Sequence, residues 1–179
     1  MKVLSIDPGK MGGIAYLNLN SETNILELLT ITETPIDNKT KDYQICDIWK
    51  LLVKCKPDLV LLEEIQARGA CGTLNVQQMG RGEGMWLTML AILHIPYVRI
   101  NPQSWTRKLG LVYKPDKTLS NAANQKLLKL THIDRAIQLY PTFKDQFYTE
   151  KGRAKDGPAD AVIIAAYWHK YINEVSNVN

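Results

Sequence analysis

Two short apolar runs, each ending in an acid, constrain this chain more than any other feature. Val3-Leu4-Ser5-Ile6 runs into Asp7-Pro8-Gly9, and Leu59-Val60-Leu61-Leu62 runs into Glu63-Glu64. Apolar stretches of this length, bounded by turn residues, form buried strands. Leu59–Leu62 follows an amphipathic stretch and is apolar throughout, the mark of a parallel strand covered on both faces. Sites in parallel sheets form beyond the carboxyl ends of the strands, so Asp7 and Glu63 are expected to converge at one rim. Each also has a plainer reading. Asp7 before Pro8-Gly9 suits an ordinary turn, and Glu63, like Glu64, suits the first solvated position after a strand.

The rest of the chain supplies the other layers. Gly12–Leu17 reads as a second strand, hairpinned to the first across Pro8-Gly9, and Ile25–Ile31 as a third. Lys39–Lys54 has its apolar residues near a 3.6 period and reads as a helix closed by Pro57. Gln66–Gly72 is small, polar and glycine-rich: a loop. Thr73 to about Leu93 is expected to be a long helix, Tyr97–Ile100 a strand, and Leu119–Leu139 a helix after a lysine-rich stretch. Thr142–Lys155 reads as a polar connector, and Pro158 to about Ile172 as a helix apolar on nearly every side. This order predicts an α/β fold: a mixed sheet, antiparallel hairpin strands leading into parallel strands, flanked by helices.

The 179 residues, 45% apolar and 22% charged, suit one domain over 1–173 with a short tail at 174–179. The longest apolar window, Ala161–Trp168, is too short for a membrane span, and no membrane partner is expected. Met1 leads straight into a strand, so no signal or transit peptide is expected. Cys46, Cys55 and Cys71 are an odd set without a CxxC pair. That argues against a zinc cage or disulfide framework and for a reducing, cytoplasmic setting.

The net charge of +4 permits a nucleic-acid partner without requiring one. Arg99, Arg107, Lys108, Lys114 and Lys117 face only Asp116 along their stretch, which suits either a solvated face or a phosphate-binding surface. Trp105 suits base stacking or, preferably, the core side of a short helix. His94, His132 and His169 are scattered and read as structural or surface residues, with no His/Ser or Cys/His pair for nucleophilic catalysis. Gly80, Gly82 and Gly84 are not followed by Lys-Ser/Thr, so no phosphate loop and no nucleotide cofactor are expected. They read as sites of close helix packing, in the core or at a dimer interface. Asp160, in the first turn of the last helix, and Asp156 just before it suit the helix dipole and a cap.

Taken in order, Val3-Leu4-Ser5-Ile6-Asp7-Pro8-Gly9, Pro57-Asp58-Leu59-Val60-Leu61-Leu62-Glu63-Glu64 and Lys155-Asp156-Gly157-Pro158-Ala159-Asp160-Ala161 resemble RuvC-type Holliday junction resolvases. Ile95 to Trp105 resembles the branch carried by phages and other viruses. The resemblance implies an RNase H-like fold and a magnesium-dependent endonuclease of DNA recombination and repair. Such enzymes are usually homodimers that nick two opposed strands of a four-way junction. Asp7, Glu63 and Asp160 fall on the catalytic, metal-binding acids. The bacterial enzymes carry the remaining acid three residues before the last, where this chain has Gly157; Asp156, one residue further back, is the candidate here. Phosphodiester hydrolysis suits an all-carboxylate site with two Mg²⁺ ions, for which Mn²⁺ is expected to substitute.

Lys10, Arg68, Arg81, Arg107, Lys108, Lys114 and Lys117 are the candidate DNA-binding residues. Gln66 stands where the bacterial enzymes carry an aromatic that probes the junction centre. Two alternatives stay within the fold: a broader branched-DNA or RNA nuclease, and a non-catalytic DNA-binding relative. An actin-like ATPase or sugar kinase shares the Asp-Gly opening but needs two lobes and a second phosphate hairpin, for which the chain has no room.

Overall fold

The computed structural model describes residues 1–66 and 73–173. The expected sheet is present, with strand order β3-β2-β1-β4-β5. β1 (Lys2–Ile6) is central, antiparallel to β2 (Gly13–Asn20) and parallel to β4 (Leu59–Glu63). β3 (Ile25–Glu33) extends the antiparallel side, and β5 (Tyr97–Ile100) the parallel side. Strand alternation divides the core in two. Leu4, Ile6, Val60 and Leu62 face Ile48 and Leu52 of α1 (Ile45–Cys55) and Trp86, Met89 and Leu90 of α2 (Thr73–Ile92). Val3 and Leu61 face the opposite layer, built on α5 (Asp156–Trp168), with Trp105 of α3 (Pro102–Lys108) and Ile133 and Ala136 of α4 (Asn121–Leu139). No described helix is long and apolar enough to cross a membrane.

Four local expectations change. The first helix starts at Ile45 rather than Lys39, because Asp37 accepts hydrogen bonds from the Lys39 and Thr40 amides and holds a turn there. The supposed connector 142–155 opens within a 3₁₀ turn, Pro141–Phe147, whose Phe147 is fully buried, a hydrophobic anchor inside a polar sequence. Of the three helical glycines, only Gly82 is tightly packed: a side chain there would meet the Tyr43 hydroxyl and the Pro8 carbonyl, whereas Gly80 and Gly84 face open space.

The fourth change matters most for the site. α5 begins at Asp156, not Pro158, and its first turn is pressed onto the β1–β2 hairpin through a parallel bridge between Gly12 and Gly157. A Cβ on Gly13 would collide with the Pro158 backbone, and one on Gly157 with the Met11 carbonyl and the Gly12 backbone. Glycine-on-glycine contact sets how near α5 can approach β1. The expected loop at 66–72, Arg68, Cys71 and the tail 174–179 lie wholly or largely outside the described residues.

Candidate active site

The acids gather where the parallel strands end. Ile6 pairs with Leu62 in the β1–β4 ladder, so Asp7 and Glu63 leave the two strands side by side. By alternation both belong to the face of Val3 and Leu61, the α5 side, while Glu64 belongs to the other. Glu64 there accepts from Asn101 Nδ2 at 3.2 Å and lies 4.0 Å from Arg99 Nε. A tight turn fixes Asp7: its Oδ1 accepts from the Gly9 amide at 3.2 Å, and the Gly12 amide closes onto the Gly9 carbonyl at 2.9 Å. Since α5 starts at Asp156, Asp156 and Asp160 are one helical turn apart.

Each acid beyond Asp7 has a protein partner. Trp105 Nε1 donates to Glu63 Oε1 at 3.0 Å, and His132 Nδ1 lies 2.6 Å from Asp160 Oδ1. The two rings meet edge to face, with centroids 5.4 Å apart. Lys129 Nζ bridges both oxygens of Asp156, at 3.0 and 2.8 Å. A groove of about 780 Å³ opens beside these residues, lined by Glu63, Trp105, Arg107, Tyr113, His132 and Asp160 among others.

Electrostatics follow from this crowding. Burial, reinforced by the Asp160 charge and more weakly by Asp156, pushes the Asp7 carboxyl up to about 7, against the Gly9 hydrogen bond. Burial also raises Asp160, and the His132 contact opposes that rise. Such carboxylates call for a positive charge between them. Their oxygens are the donors a hard cation such as Mg²⁺ selects. In donor type the residues fit; as they lie, no three acids, histidines or cysteines among the described residues stand close enough to share one ion.

The basic candidates divide. Arg107 lines the groove, and with Lys108 it ends α3; Lys114 and Lys117 are exposed on the segment beyond. Lys10 and Arg81 instead converge on Asp42, at 3.7 and 2.6 Å, with Lys10 over the Tyr43 ring. His132, read from the sequence as structural or surface, stands in the site; with Trp105 and Lys129 it makes up what sequence reasoning missed. Trp105 is in the core as expected, 2% exposed, but with its indole N–H on a candidate catalytic acid. No local pattern signals either contact, because Glu63 and Asp160 lie 42 and 28 residues from their partners.

A mixed sheet with acids at the carboxyl ends of its central strands and an acid-bearing helix across them is the RNase H-like arrangement. The chain has that fold, in the form found in solved Holliday junction resolvases. The fowlpox virus Holliday junction resolvase superposes with a TM-score of 0.62 over 98% of this chain and 99% of its own, at 16% identity. Thermus thermophilus RuvC, solved with a Holliday junction substrate, gives 0.57 over 94% of each chain, also at 16%. The yeast mitochondrial Holliday junction resolvase gives 0.58, over 99% of this chain and 84% of its own, at 16% identity. No protein-family model and no curated protein matches the sequence.

Proposed function

We propose that this protein is a metal-dependent, structure-selective endodeoxyribonuclease that resolves four-way DNA junctions by paired nicks. The observation that carries the reading is the convergence of Asp7, Glu63 and Asp160 at one end of the sheet, with Asp7 pushed up to about 7 by burial and by Asp160. A half-buried, desolvated carboxylate pair whose charges repel is costly to a fold and suited to a cation. Mg²⁺, when bound, would polarise the phosphodiester and ease formation of the attacking hydroxide and departure of the 3′ oxygen.

The chain's own residues supply the rest. Asp7, Glu63 and Asp160 would hold the ions, with Asp156 reaching in once Lys129 releases it. Arg107, Lys108, Lys114 and Lys117 would hold the DNA backbone along the groove side, and Lys10 and Arg81 would act on the hairpin side once drawn from Asp42. One chain presents one acid cluster, so two nicks on opposed strands call for a homodimer.

The test is parallel cleavage of labelled four-way, three-way, flap and linear duplex DNA, and of an RNA duplex, with Mg²⁺. Symmetric paired nicks confined to the four-way substrate support the reading. Comparable cutting of flaps or RNA replaces it with a broader nuclease, and binding without any cutting leaves a DNA-binding relative.

A further inference from the structure

We infer that Trp105 and His132 act together as positioning residues, holding Glu63 and Asp160 at a fixed separation across the metal-binding cleft. This rests on the metal-dependent reading of the site. The two rings come from different helices, Trp105 from α3 and His132 from α4, yet each places one ring nitrogen on one of the two acids, at 3.0 and 2.6 Å. They are 2% and 8% exposed. Their edge-to-face contact couples the two hydrogen bonds into one unit, carboxylate–indole–imidazole–carboxylate.

The need for such a brace follows from the backbone. Asp7 is fixed by its own turn, through the Gly9 amide. Glu63 has a longer side chain with more torsions to settle, and Asp160 projects from a different layer. A ring N–H on one oxygen of a carboxylate restricts the rotamers that side chain can adopt. Groups that orient metal-binding carboxylates in this way commonly contribute 10–100-fold to metal affinity. Close-packed aromatic rings cannot follow the acid if it moves, so each ring limits how far its acid strays before any ion draws the acids together.

The experiment measures Mn²⁺ binding to the full-length protein through loss of the free-ion EPR signal. Junction binding in EDTA and the Tm of the metal-free protein are followed in parallel. Trp105→Phe and His132→Leu are each expected to weaken Mn²⁺ binding about 10–100-fold, with junction binding in EDTA within about twofold of wild type. His132→Asn, whose amide occupies the place of Nδ1, should recover most of the loss, which a merely structural role would not predict. Should Trp105→Phe fold poorly, benzothienylalanine at position 105 removes the N–H while keeping the ring shape.

Mn²⁺ affinity unchanged in folded Trp105 and His132 variants, while Asp7→Asn abolishes binding, overturns this inference and leaves the metal site standing. No Mn²⁺ binding by the wild-type protein, or wild-type binding by Asp7→Asn, overturns the metal reading and this inference together.

Discussion

Two groups of acids in this molecule do opposite work. Asp37, Asp42 and Asp116 sit in surface turns and loops, where backbone amides and side chains hydrogen-bond to them. The Thr40 and Lys39 amides hold the Asp37 carboxyl below the usual range, the Tyr43 amide and Arg81 do so for Asp42, and Thr118 for Asp116. Asp7 and Asp160 lie half-buried at the end of the sheet and are pushed the other way, chiefly by desolvation. The turn acids help the chain fold as ions; the sheet-end acids oppose folding as ions. A fold that keeps such acids where they cost stability is spending that stability on something besides folding.

The sharpest break of this comparison is at the sheet end. Asp7→Asn, Glu63→Gln and Asp160→Asn should each lower junction cleavage by at least about 10³-fold, with binding in EDTA retained. For Asp7→Asn the metal-free protein should at the same time become more stable at pH 8. The sign follows from linkage: with its folded-state value near 7 against an ordinary 3.8, Asp7 holds its proton in the folded state over a range where the unfolded chain has lost it. Stability of the metal-free wild type should therefore fall as pH rises from about 4 to 7, and Asn should remove that fall and raise Tm at pH 8 by roughly 5 °C. A Tm unchanged or lowered by Asp7→Asn at pH 8 would break the division into two populations.

Gly157→Asp should come next in size. It adds an acid at the position the bacterial pattern uses, but drives a Cβ into the Gly12 backbone, so a Tm lower by roughly 10 °C is expected, with activity lost through misplacement of α5. Wild-type Tm would mean that the hairpin and helix separate easily.

Asp156→Asn then decides to which population Asp156 belongs. As a metal ligand it should lower turnover about 10–100-fold at limiting Mg²⁺; near-normal turnover would leave it a partner of Lys129 and the site with three acids. Lys108→Ala and Lys114→Ala should weaken junction binding several-fold, each lowering the log–log salt slope by about one. Asp116→Ala should give the smallest effect, a slight Tm loss at pH 7 that vanishes on acidification, since a depressed carboxyl contributes above its ordinary range and loses that contribution as pH falls.

Much of this is legible in the sequence. Asp7 and Glu63 ending two apolar runs predicted a shared rim, and the β1–β4 register places them side by side. Glu64 falls on the other face because strands alternate strictly. Less legible was where helices start, since Asp37 and Phe147 act through one hydrogen-bonding side chain and one buried ring that leave the average polarity of their segments unchanged.

What the sequence by itself determined is the set of strands, their order and the acids at their ends, because periodicity and turn chemistry act over a few residues. Only the tertiary structure decided which groups hold those acids. Trp105 reaches Glu63, His132 reaches Asp160 and Lys129 reaches Asp156 because α3 and α4 pack in the same layer as α5 and glycine contact draws α5 onto the hairpin. Contacts between residues 27 to 42 positions apart are set by how layers pack, and no local pattern encodes them.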